Sequence, residues 1–203
     1  MAPWPWHANA RIISLMRMFL AILVLAGLIA ALPASAAEEG ARPAIVDVLT
    51  ARLATADTAE EAAEVADALR EAYGQSPSPS AEVLYAQSEV VAAEGDTENA
   101  LYKLTRALVL DEDLVGALVL RGDVRLAVGD VNDAFVDALA AVELAPDYYA
   151  SLGLLARTFE AQGRYVSALA TTRQALEYYP LNVDLQEQLA RHQALAAGGA
   201  AGL

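Results

Sequence analysis

Apolar and polar positions between residues 81 and 182 repeat with a period of 34 residues. Leu84, Leu118 and Leu152 form one column, Ala100, Ala134 and Ala168 a second, and Ala107, Ala141 and Ala175 a third. Gly95, Gly129 and Gly163 share the spacing, and so do Pro146 and Pro180. Five columns in one register define three units, 81–114, 115–148 and 149–182, with no insertion or deletion between them. Inside the second unit, Leu118, Val119, Leu126 and Val128 lie on one segment, and Phe135, Leu139, Val142 and Leu144 on the next. Apolar residues recurring at three to four predict a pair of amphipathic helices per unit. Glycine at each break accepts the left-handed conformation that ends a helix. Asp96 and Asp130 stand where a carboxylate can cap the free amides of the second helix. Pro146 and Pro180 close their units, because proline cannot continue a helix it does not begin.

The pattern extends into both flanks. Residues 183–196 keep the register through Leu185, Leu189 and Leu195 and read as a capping helix, since an open repeat array must cover its last apolar face. Residues 198–203 read as a frayed tail. Upstream, residues 45–53 form one amphipathic segment. A second begins near Asp57 and Thr58, with Glu60 and Glu61 placed to complete a cap, and continues through Val65, Leu69 and Tyr73. This pair fits the 34-residue template badly and reads as a degenerate first unit. Gln75, Ser76, Pro77, Ser78, Pro79 and Ser80 form a connector of turn-forming residues, so residues 37–80 are a helical pair plus linker. The expectation is an all-α solenoid of about nine helices.

Residues 1–36 carry a different pattern. Arg11 and Arg17 precede an apolar run over 18–32, Pro33 breaks it, and Ala34, Ser35 and Ala36 follow, with no acid before Glu38. Positive start, short apolar core and small residues at the end make a secretory signal peptide, with cleavage expected after Ala36 and the mature chain in the periplasm. The alternative is an uncleaved inner-membrane anchor over residues 18–37, since that stretch has about the ~20 residues a membrane helix needs. Pro33 and the small residues near its end argue against the anchor.

Composition narrows the chemistry. The chain has 203 residues, 56% of them hydrophobic, which is too apolar for disorder. Its 27 acidic and 13 basic residues give a net charge of −14, which repels a phosphate backbone and excludes nucleic acid as a partner. The absence of cysteine removes disulfides, thiolate metal sites and cysteine nucleophiles. His7 leaves with the signal, and His192 reads as a surface residue of the capping helix. One histidine without cysteine does not build a common zinc site. Asp111, Glu112 and Asp113 lack the spacing of a calcium loop and read as a solvated turn. No nucleophile–base pair, phosphate loop or dinucleotide fingerprint is present, so no catalytic residue, cofactor or metal is expected. Acids dominate residues 37–148, whereas unit 149–182 carries two acids and three bases.

The units resemble the tetratricopeptide repeat, whose period is 34 residues and whose unit is an antiparallel helix pair. That family has small residues at the eighth, twentieth and twenty-seventh positions. Here the eighth holds Ser88, Gly122 and Ala156, and the other two are the alanine columns above. Departures are Glu112 in place of the closing proline, leucine at the fourth position, and Val91 and Arg125 at the eleventh, where Phe159 keeps the usual aromatic. The resemblance covers residues 81–182. The whole order of parts resembles exported tetratricopeptide-repeat proteins of alphaproteobacteria, a group of poorly described function.

The resemblance implies a right-handed superhelix whose first helices line a concave groove. Its inward positions are Glu82, Tyr85 and Glu89 in the first unit, and Val119, Leu120, Asp123 and Leu126 in the second. They are Leu154, Arg157 and Glu160 in the third, and Glu187, Gln188 and Arg191 in the cap. Some of the aliphatics are alternatively core. Chaperone-binding members grip a terminal carboxylate with lysine, asparagine and arginine. Tyr85, Glu89, Leu120 and Leu154 stand at such inward positions here, so that clamp is absent. The implied function is a non-catalytic periplasmic adaptor holding a peptide or partner protein in the groove. The acidic part favours a basic partner segment. The alternative is an inner-membrane-tethered assembly subunit.

Overall fold

The computed structural model describes the backbone of residues 34–200 and the side chains of residues 44–198. The signal-like residues 1–33 and residues 201–203 lie outside the described residues. The chain divides into two compact units, Met1–Ala44 and Ile45–Leu203, and the description below concerns the second.

Among the described residues there are nine helices and no strand. They are α1 (Ala34–Ala54), α2 (Ala59–Gly74), α3 (Pro79–Ala93), α4 (Thr97–Leu110), α5 (Val115–Val128), α6 (Val131–Leu144), α7 (Tyr149–Ala161), α8 (Tyr165–Tyr178) and α9 (Val183–Ala200). α1 begins well before the 45–53 segment, because residues 34–39 are mostly alanine and glutamate, both good helix formers. α9 runs through Gly198 to Ala200.

Helices α3 and α4, α5 and α6, and α7 and α8 pack as pairs. α4 then packs on α5, α6 on α7, and α9 on α8. This is an all-α solenoid of helix pairs. The small-residue columns explain the close pairing: Ser88 and Ala156, with all six alanines of the twentieth and twenty-seventh positions, are fully buried. Gly95, Gly129 and Gly163 have φ of 83°, 90° and 75°, the left-handed region that the breaks require. Thr58 caps α2 by accepting the Glu61 amide at 3.2 Å, and Asp96 caps α4 by accepting the Asn99 amide at 3.2 Å. Two expected caps differ. Asp130 makes no capping bond to α6. Glu61 does not close a capping box but takes Arg52 of α1 at 3.0 Å.

The N-terminal pair does not stack ahead of α3 as a first unit. The third and tenth positions show this directly. Ala117, Ser151 and Leu185, and Val124, Thr158 and His192, are buried where each unit meets its predecessor. Their counterparts Val83 and Val90 are 55% and 58% exposed. α2 touches α3 lightly and packs more extensively on α5. Gly116 of α5 permits the approach, since a Cβ there would lie 2.9 Å from the Tyr73 carbonyl oxygen. Gly74 leaves room for the Tyr85 ring, whose Cε1 would be 2.6 Å from an added Cβ. Tyr73 stacks on Tyr148 with ring centroids 4.2 Å apart, and the seam continues through Tyr149 to Tyr179. It ties α2 to the start of α7 and the end of α8. Ala62, Val65, Ala66 and Leu69 of α2 share one core with Leu114, Val115 and Leu152.

Candidate partner-binding groove

The first helices of the units and α9 line a groove, with α2 along one edge. At one end a cleft of about 860 Å³ opens between α2 and α3. Glu64, Asp67, Glu71, Glu82 and Glu89 line it, with Arg70 as the one cation. The next stretch, about 600 Å³, lies between α3, α5 and α7 and presents Val119, Leu120, Val124, Tyr148 and Tyr149. A recess of about 140 Å³ follows between α5, α7 and α9. Tyr85 and Glu89 belong to the first two stretches, and Val119, Asp123 and Tyr149 to the last two, so the three run together.

Charge along the groove follows the repeat register. Glu89, Asp123 and Arg157 occupy the same position in the three units, and Arg191 holds it in the cap. Asp123 pairs with Arg157, one unit on. Arg191 pairs with Glu160 at 2.9 Å, and Arg70 with Asp67 at 3.1 Å. Glu89 accepts only the Tyr85 hydroxyl, at 3.1 Å. The cations are therefore matched by acids, and the α2–α3 end keeps a surplus of carboxylates. Burial and the nearby Glu89 push the Tyr85 phenol well above its ordinary value. Burial and the neighbouring Tyr179 push Tyr149 up to about 12. Both rings are neutral hydrogen-bonding surfaces at physiological pH.

The inward residues divide into three groups. Tyr85, Glu89, Val119, Leu120, Asp123, Arg157 and Gln188 line the groove. Glu82 lines its acidic end while one carboxylate oxygen accepts the Ser76 amide at 2.7 Å, tying down the connector. Leu154 and Leu126 do not face the groove. Leu154 is fully buried with Ala138 and Leu155, and Leu126 packs beside them. The physical reason is Gly122, whose missing side chain leaves a slot that Leu154 fills; a Cβ there would lie 2.5 Å from Leu154 Cδ2. Glu160, Glu187 and Arg191 line none of the three stretches, and Glu187 is exposed on α9.

His192 is not a surface residue. It is fully buried, with Nε2 at 2.8 Å from Glu160 Oε2 and Nδ1 at 2.9 Å from Thr172 Oγ1. It occupies the tenth position, the one that docks each unit on its predecessor. Burial alone would raise the Glu160 carboxyl, but hydrogen bonds from Arg191 and His192 outweigh it and hold the group below its ordinary value.

Several residues that matter belong to no motif of the sequence. Asp137 is 1% exposed and is gripped by Arg121 at 2.6 Å and by Arg125 at 2.6 Å. Its place among Ala134, Ala138 and Ala141, on the apolar stripe of α6, was the available signal. Arg125 at the aromatic position was its counterpart. Asp111 accepts Ser76 Oγ at 2.5 Å and the Asp113 amide at 3.2 Å, so that turn is a bonded junction. Among the described residues no group of three or more His, Cys, Asp or Glu is placed to hold a metal, and no helix is long and apolar enough to cross a membrane.

Stacked helix pairs of 34 residues with small residues at the pairing positions define a tetratricopeptide-repeat fold, and solved structures share it. The first such domain of Spaghetti (RPAP3), bound to the HSP90 peptide SRMEEVD, is 21% identical over 58% of this chain and 94% of that one, with a TM-score of 0.55. The Sgt2 domain from Aspergillus fumigatus is 18% identical over 62% of this chain and 84% of that one, with a TM-score of 0.58. MamA from Desulfovibrio magneticus RS-1 is 18% identical over 77% of this chain and 90% of that one, with a TM-score of 0.51. No family model matches the sequence, and no curated protein matches it. At these identities the likeness is one of fold.

Proposed function

We propose that this protein is a non-catalytic periplasmic adaptor that holds a peptide or partner protein in the groove. Tyr85, Val119 and Leu120 supply the apolar contacts, and Glu89, Asp123 and Arg157 the polar ones. The observation that carries the reading is the groove: aliphatic and aromatic side chains along α3, α5 and α7, open to solvent and continuous with an anionic cleft. The Spaghetti domain was solved with a peptide, so the fold can hold one. That peptide ends in EEVD and is acidic. The carboxylates of the α2–α3 cleft suit the opposite ligand, a segment with lysine or arginine beside apolar residues.

The periplasmic location rests on Arg11, Arg17, the apolar run and the Ala34, Ser35, Ala36 end. Intact mass of the protein from envelope extract checks it: loss of residues 1–36 is expected. Retention would make it the inner-membrane-tethered assembly subunit instead. The groove is tested by affinity capture from the same extract, wild type beside Leu120→Glu, both first shown to have equal helicity. A partner held by wild type and lost by the variant is the expected outcome. A partner held equally by both overturns the groove as the binding surface. Leu154 is unsuited to this test, because a charge there would unfold the core.

A further inference from the structure

The recess between α5, α7 and α9 differs chemically from the rest of the groove. Gln188 lines it, is only 7% exposed, and its Oε1 has no hydrogen-bond partner. Buried acceptors are paired almost without exception, and an unpaired one in a cavity wall asks for a donor. The other polar side chains are Asn182, Asp123, Arg157, Asp184 and the neutral phenol of Tyr149. Asn182 Oδ1 already accepts the Leu185 amide at 2.8 Å, and Asp123 already takes the Arg157 guanidinium. What remains on offer is the Gln188 oxygen and the Asp184 carboxylate from the first turn of α9. Both are acceptors. Val119, Tyr149 and Leu185 supply apolar wall beside them.

The geometry points to a subsite for one lysine-type side chain of the groove's ligand, with its ammonium on Gln188 Oε1 and Asp184 and its methylenes against Val119 and Tyr149. The assignment rests on the groove reading above and names the ligand residue held at the α9 end. An ammonium has three donors and no acceptor, which matches a wall of unused acceptors. A carboxylate would face Asp123 and Asp184. The recess of about 140 Å³ is well above the ~10–15 Å³ that a single water requires, and it admits a butylammonium head. Arg157 also lies in the recess, but its charge is matched by Asp123, so the ammonium sits on the Asp184 side.

The test uses the full chain, labelled with ¹⁵N and titrated with Nα-acetyl-lysine methylamide beside the norleucine counterpart. The Gly153 backbone amide and the Gln188 side-chain amide report binding. The lysine compound is expected to give saturable shifts and the norleucine compound to bind roughly tenfold more weakly, the size of a lost charged hydrogen bond. Gln188→Met keeps the shape but removes the oxygen. It should weaken the lysine response at Gly153 roughly tenfold while raising the melting temperature, because no buried acceptor is left unpaired. Asp184→Asn, at an exposed position, should weaken lysine binding without changing helicity. Equal binding of the lysine and norleucine compounds, no shift with either, or a Gln188→Met variant that binds like wild type would each overturn the subsite. A partner lost by Leu120→Glu yet retained by Gln188→Met leaves the groove standing and removes the subsite alone.

Discussion

A carboxylate shielded from water persists in α6 because two guanidiniums reach it from α5. Asp137→Ala leaves the largely buried Arg121 without its partner and Arg125 with only the Asp133 carbonyl at 3.3 Å, and the expected cost is about 3 kcal/mol, read from urea unfolding. Glu160 gives a pH-dependent counterpart. Its carboxyl is held low by Arg191 and His192, so it stabilises the fold above the unfolded carboxyl value and ceases to do so as pH falls through the folded one. Wild type should therefore melt higher than Glu160→Gln at neutral pH, and the gap should close on acidification from about pH 4.3 downward. Residue roles of this kind were only partly legible. An acid in a sequence is usually solvated, and nothing in its own identity says otherwise. The sign lay in context: Asp137 stands on an apolar stripe, and His192 at a position that is buried in every stacked unit.

Helices and their ends were legible, because glycine, proline and the alanine columns act locally and repeat. The placement of α2 was not. An amphipathic pattern states that a face is buried but not against what, and the contact that fixes α2 lies with α5, three helices further along the chain. Gly116→Ala tests that placement. The new methyl would meet the Tyr73 carbonyl oxygen at 2.9 Å as well as the Tyr85 ring tip at 3.0 Å, and because the first is backbone, α2 must back away. Hydrogen exchange should rise over residues 59–74, while α7 and α8 keep their protection. Unchanged exchange in α2 would show that its seat depends on the tyrosine seam alone. Each aromatic pair of that seam is worth about 0.5–1.5 kcal/mol beyond the area it buries.

At the scale of the molecule, the groove changes character along its length, from a surplus of acids near α2 to paired charges near α9. Partner capture through the acidic end should weaken as ionic strength rises, because exposed charges lose sight of one another beyond about 8 Å at physiological salt. Capture that is indifferent to salt would place the contact on the aliphatic stretch alone. Half of the groove was visible in the repeat register. The other wall comes from α2, whose residues no repeat template contains.

The strap formed by α2 also bears on how such an array can lengthen. Solenoids ordinarily grow by duplicating a unit anywhere, since each unit meets only its neighbours. Here a unit inserted between α4 and α5 would carry Gly116 and Tyr148 out of reach of Tyr73, whereas one added after α8 would leave that contact untouched. The first two units are thus locked into a fixed count, and only the distal end of the chain is free to evolve in length.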